Sequence, residues 1–157
     1  MKLADTVAAL LSLASDRPPT AVEIEGHFRG QATARATASE NLDHPTWTGL
    51  VNGPDDVYLT LDGDLAGIQI WEDPRGWGAY AELAVMRGTL ADVESIVGPM
   101  QPMPRAPDDF HSGQKAAAYV ERAGRTVRVF AELAGDNRRV VRVTVCFPSR
   151  DEPARAR

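Results

Sequence analysis

The chain has 157 residues, of which 43% are hydrophobic and 25% charged, and it contains one cysteine. At about 150 residues per domain this is one domain's length, enough to bury a core without disulfide or metal staples, so disordered, collagen-like and disulfide-scaffold classes are excluded. Its 22 acidic residues outnumber 17 basic ones for a formal charge of −5, which opposes nucleic-acid phosphates and anionic lipid; neither nucleic acid nor a membrane is expected as a partner.

The N-terminus begins with Lys2 and a small apolar run, as a secretory leader does. Asp5 interrupts it, while Leu3, Val7, Leu10, Leu11 and Ala14 recur at helical spacing. An amphipathic helix is therefore the expectation, with a cleaved leader as the alternative. Asp16-Arg17-Pro18-Pro19 stops that helix, because paired prolines cannot continue it. In the next run, Val22, Ile24, Gly26 and Phe28 alternate with Glu23, Glu25, His27 and Arg29, a period of two that predicts a strand. Gly30 to Asp56 is small and polar, with a short helix expected near Gln31 to Leu42.

From Val57 the pattern sharpens. Two alternating runs flank Asp62-Gly63-Asp64 and predict a β-hairpin. Asp73-Pro74-Arg75-Gly76 has turn chemistry, and another strand is expected over about Ala79 to Met86. Thr89, with Asp92 three residues on, caps a helix that closes at Gly98-Pro99. Gly98 to Gln114 reads as a long Pro-rich loop. Three strands follow, at about Lys115 to Arg122, Thr126 to Leu133 and Arg139 to Phe147, with Ala123-Gly124-Arg125 and Gly135-Asp136-Asn137 as turns. No apolar run approaches the roughly 20 residues that cross a bilayer.

The expected fold class is α+β: one or more antiparallel sheets of about six or seven strands with two main helices. The element order divides into two helix-plus-meander halves. Residues 1–149 are read as a single α+β domain and 150–157 as a charged flexible tail.

The stretch Gly88-Thr89-Leu90-Ala91-Asp92-Val93-Glu94-Ser95-Ile96-Val97-Gly98-Pro99, followed after a loop by three strands, resembles the β-lactamase-inhibitor-protein-like and SmpA/OmlA-type small α+β modules. In those modules a Gly, a Thr cap, a short Val-bearing helix and a closing Gly precede a small antiparallel sheet. The resemblance spans about Gly88 to Phe147. The lipoprotein members differ from this sequence in the Gly-to-Thr spacing and carry a lipidated N-terminal cysteine that it lacks. What the resemblance implies is a binding module whose sheet face or loops grip another protein, of inhibitor or immunity type.

Glu23, Glu25, His27 and Arg29 would converge on one strand face, where Glu25 and His27 supply the minimum for acid/base work or two metal ligands. A solvated polar strand face has the same pattern. His111 beside Asp108 and Asp109 offers ligand atoms but no second cluster completes a site, so no metal is expected. The phosphate-loop, dinucleotide, zinc-protease and nucleophile-elbow motifs are absent, and no cofactor is expected. Trp71 and Trp77 bracket the Asp73 to Gly76 turn, and Trp47 sits in another loop region. Met100, Met103 and Phe110 place adaptable apolar side chains between prolines. Arg128 and Arg142 should share the polar face of the last strands with Glu132 and Thr144. Cys146, alone in the strand-like run Val140 to Phe147, can form no intrachain disulfide and points to a reducing cytoplasm.

These features favour a small soluble protein-binding module without enzymatic activity. Its partner is another protein, met by Trp71, Trp77, Met100, Met103, Phe110, Arg128 and Arg142. The alternative is a sheet-lined pocket, for ligand binding or catalysis, with Glu25 and His27 as acid and base. A third reading is a homo-oligomer that pairs through an exposed edge strand.

Overall fold

The computed structural model describes residues 1–37, 56–73, 76–105 and 113–149. The tail expected at 150–157, together with Trp47, Asp108, Asp109, Phe110 and His111, lies outside them.

Helical spacing at the N-terminus gives α1, Leu3–Ser12, whose Leu3, Val7, Leu10 and Leu11 are buried. The following segment is α2, Ala21–Phe28, which corrects the strand expected there. Thr20 and Glu23 form a full capping box: the Glu23 amide donates to the Thr20 hydroxyl at 3.2 Å, and the Thr20 amide donates to the Glu23 carboxylate at 3.3 Å. That box satisfies helix-terminal donors a strand would not have. Ile24 and Phe28, four residues apart, then bury together while Val22 is left 80% exposed, the outcome of a 3.6-residue period and not of alternation. Of the short helix expected near Gln31 to Leu42, the described part instead forms the end of a 3-10 turn, Arg29–Gln31, and strand β1, Ala34–Thr37, while residues 38–42 lie outside the described residues.

The later runs fold as their alternation dictates. They give β2 (Val57–Thr60), β3 (Leu65–Glu72) and β4 (Gly78–Val85), then α3 (Leu90–Val97). At α3 the amide and hydroxyl of Thr89 both donate to the Asp92 carboxylate, at 2.8 and 3.2 Å. After it come β5 (Gln101–Pro102), β6 (Lys115–Arg122), β7 (Arg125–Leu133) and β8 (Val140–Pro148). A short β5 thus interrupts the loop expected from Gly98 to Gln114.

All these strands form one antiparallel sheet in the order β1-β2-β3-β4-β8-β7-β6-β5. The fold is α+β, with eight strands and three helices among the described residues, against six or seven strands and two helices expected; the difference arises from α2, β1 and β5. The last strands of the two halves, β4 and β8, join antiparallel from Gly78↔Pro148 to Ala84↔Arg142. One face of the sheet carries Leu59, Ile68, Ile70, Leu83, Val143, Val145 and Val129, which form a single core with the apolar sides of α1, α2 and α3. No described helix is long and apolar enough to cross a membrane.

Candidate functional site

Because side chains alternate along a strand, the residues between those core positions all project from the face opposite α1, α2 and α3. The register aligns them in rows. One row runs Trp71, Tyr80, Cys146, Arg128, Tyr119 across β3, β4, β8, β7 and β6. The next runs Tyr58, Gln69, Glu82, Thr144, Phe130, Ala117. A third runs Gly67, Ala84, Arg142, Glu132, Lys115.

The first row is aromatic at both ends. Trp71 and Tyr80 stack with centroids 5.2 Å apart and planes 5° from parallel, the cross-strand aromatic pairing that stiffens a sheet surface. Tyr119, at the other end, is 48% exposed. Burial, then the charge and hydrogen bond of Cys146 and the charge of Asp73, push the Tyr80 phenol up to about 12 against the opposing pull of Arg128. Burial likewise pushes the Cys146 thiol up, outweighing the Tyr80 hydrogen bond and the Arg128 charge. Cys146 is therefore a buried thiol that packs, with none of the thiolate character a nucleophile needs. The bare backbone of Gly67 leaves room for Tyr58, since a Cβ there would strike the Tyr58 ring and hydroxyl.

The third row is a ladder of alternating charge. Arg142 directs its Nε to Glu82 Oε1 at 3.3 Å and its Nη1 to Glu132 Oε2 at 3.1 Å, while Lys115 Nζ lies 3.9 Å from Glu132 Oε1. The ladder spans β6, β7, β8 and β4, so it ties the two halves together on this face.

Trp71, Arg128 and Arg142 therefore belong to one surface, and the alternation of the last strands is enough to place the two arginines there with Glu132 and Thr144. Trp77 is at the tip of the β3–β4 hairpin, 54% exposed; its carbonyl accepts the Ser149 amide at 2.8 Å. Met103 continues the β5–β6 register: its amide donates to the Lys115 carbonyl at 2.7 Å. Met100 corrects the expectation of a loop anchor, because it is buried in the core. Tyr80, Tyr119, Phe130, Lys115 and Glu82 were not singled out from the sequence, although pairing Trp71 across the predicted hairpin would have found Tyr80.

Glu25 and His27 do not come together. A helix turns 100° per residue, so two residues apart they point to nearly opposite sides, with Glu25 buried and His27 exposed. Glu25 instead receives Arg35 Nε and Nη2, each at 3.1 Å, and Arg29. Burial pushes the Glu25 carboxyl up, but hydrogen bonds and charge from Arg35 and Arg29 outweigh it and hold it below its ordinary value. It is an ionised structural carboxylate, a poor general acid.

A cleft of about 170 Å³ lies between Pro18–Pro19 and the β3–β4 turn, below the roughly 300 Å³ at which small-molecule sites begin. Among the described residues, no group of three His, Cys, Asp or Glu side chains could hold a metal ion. Comparison of the chain with protein-family models, with curated proteins and with solved structures gives no match.

Proposed function

We propose that the chain is a small non-enzymatic protein-binding module, of inhibitor or immunity type, that engages its protein partner through the face of the sheet opposite α1, α2 and α3. The observation that carries this reading is the composition of that face. It presents the stacked Trp71–Tyr80 pair, Phe130, the half-exposed Tyr119 and two arginines on rigid paired strands. Tyr, Trp and Arg are the residues that dominate binding energy at protein interfaces, and fixing them on a sheet lowers the entropy lost on association. Trp77 extends the apolar surface at the hairpin tip. A cytoplasmic setting belongs to the same reading, since the lone thiol of Cys146 is buried and protonated.

Affinity capture of the tagged full chain from lysate of its host, with mass spectrometry of what is retained, tests this. The wild type is expected to retain one protein in stoichiometric amount. Tyr119→Ala and Trp77→Ala remove exposed rings and should fold normally. At least one should weaken the complex by about 1–4 kcal/mol, the cost of truncating a hot spot. Unchanged retention by both variants, or no stoichiometric protein at all, contradicts the reading.

A further inference from the structure

We propose that α2 is a latch: a unit that opens away from the sheet while the rest of the fold stays paired, and that carboxylate contacts hold shut. Eight residues are too few for a helix to persist alone in water, so α2 depends on what it packs against. Among the described residues, its main chain makes no hydrogen bond to the main chain of any strand. The equally short α3 differs. It is tied in at its start, where the Leu90 amide donates to the Arg138 carbonyl at 2.9 Å and the Val140 amide to the Gly88 carbonyl at 3.0 Å. For α2 each tie to the sheet runs through a side chain. Ile24 and Phe28 are buried in the core, where α2 lies against β2, β3 and β4. Glu72 of β3 accepts the Ala21 amide at 2.8 Å, Glu25 accepts Arg35 of β1, and Glu23 accepts Arg17 of the α1–α2 connection. The helix also contains a residue that weakens it without serving the packing. Gly26 lies mid-helix, and a Cβ there would meet nothing within 4 Å; glycine at such a position lowers helix stability relative to alanine.

Ionisation sets how firmly the latch is held. Glu25 faces Arg29 and Arg35. At the N-terminal end of α2 lie Asp16, Arg17, Glu72 and Asp73, and His27 is on its exposed side. Apart from Glu72, the core-facing residues of β2, β3 and β4 are uncharged. Burial raises the Glu25 carboxyl, and the bonds and charges of Arg35 and Arg29 more than offset it, so this group titrates below its ordinary value. The hydrogen bond from Arg17 helps bring Glu23 to about 2. Carboxyls depressed in the closed state stabilise it above their open-state values, and that contribution is lost as pH falls through the closed ones. Acid therefore opens the latch.

Native-state hydrogen exchange of the isotope-labelled full chain, expressed as protection factors, tests this. The helical amides from Ile24 to Arg29 are expected to share one opening and to be roughly tenfold or more less protected than the slowest amides of β6–β8. Gly26→Ala should raise their protection about four- to fivefold. Val129 is buried in the core on β7, two strands beyond β4. Val129→Ala should lower the slowest β6–β8 amides by roughly tenfold and leave the α2 amides unchanged, because the latch opens with that core intact. Lowering the pH from 7 to about 3.5 should reduce α2 protection, and reduce it less in Glu25→Gln, which has no charge to lose there. Fall of the α2 amides in step with the sheet in Val129→Ala, or no response to Gly26→Ala, overturns the proposal. An equal effect of pH in Glu25→Gln overturns the part given to that carboxylate.

Discussion

Glu23 and Glu25 sit two residues apart and have different fates. Glu25 is buried under two guanidiniums, whereas Glu23 is an exposed helix-cap carboxylate that receives Arg17 Nη1 and Nη2 at 2.6 and 3.0 Å. The hydrogen bond from Arg17, followed by that from the Thr20 amide, lowers the Glu23 carboxyl to about 2. A carboxyl whose pKa is depressed by folding contributes stability that is complete above its unfolded value and is lost as pH falls through the folded one. Glu23→Gln keeps a capping side chain but removes the charge. The stability difference between wild type and variant should be constant above about pH 5 and shrink as pH falls from 4.5 towards 2. Denaturant midpoints at pH 7 and pH 3 check this; a difference that does not narrow at pH 3 would show that the Arg17 pair contributes nothing. The same residues mark where sequence reading fell short at this scale. Glu25 and His27 looked like a convergent pair only because a strand was assumed, and helical geometry separates them.

At the scale of elements, the hydrophobic pattern of 57–85 and 115–148 made six strands legible, since β-alternation with turn residues at fixed offsets has few other solutions. In α2 the same kind of evidence was ambiguous. Val22, Ile24, Gly26 and Phe28 fit a period of two, and Ala21, Ile24 and Phe28 fit a helix; the Thr20-to-Glu23 spacing of a capping box is the local signal that favours the helix. β1 and β5 were not legible, because four and two residues carry too little pattern and their pairing is decided by the neighbouring strand. The β6–β7 hairpin is tight: Arg122 pairs with Arg125, leaving Ala123 and Gly124 as a two-residue loop, both with positive φ, 52° and 76°. Such a turn prefers Asn-Gly, and alanine in the left-handed region is strained by its Cβ. Ala123→Asn should therefore raise unfolding stability by about 0.5–1 kcal/mol, read from thermal or denaturant melts. A neutral or destabilising result would mean that the turn relaxes in solution to a different type.

At the scale of the molecule, two helix-plus-meander halves joined through β4 and β8 leave one sheet face packed on helices and the other built of aligned polar and aromatic rows. The two-half division was visible in the order of elements. Which strands would be central was not, because the β4–β8 pairing links residues 58 to 70 positions apart, and local pattern carries no information at that range. Once that seam forms, Trp71 and Arg128, which come from different halves, lie in one row, and the face becomes a continuous candidate interface. The central claim, that this face and not the helical side meets the partner, is tested most directly by hydroxyl-radical footprinting of the chain alone and in complex with the protein it captures. The rings of Tyr119, Trp71 and Tyr80 should lose most of their oxidation in the complex. Met86, exposed at the turn into α3, and Val22 on α2 should keep theirs. Protection of Met86 and Val22 with Tyr119 and Trp71 still oxidised would place the partner on the helical side and contradict the account.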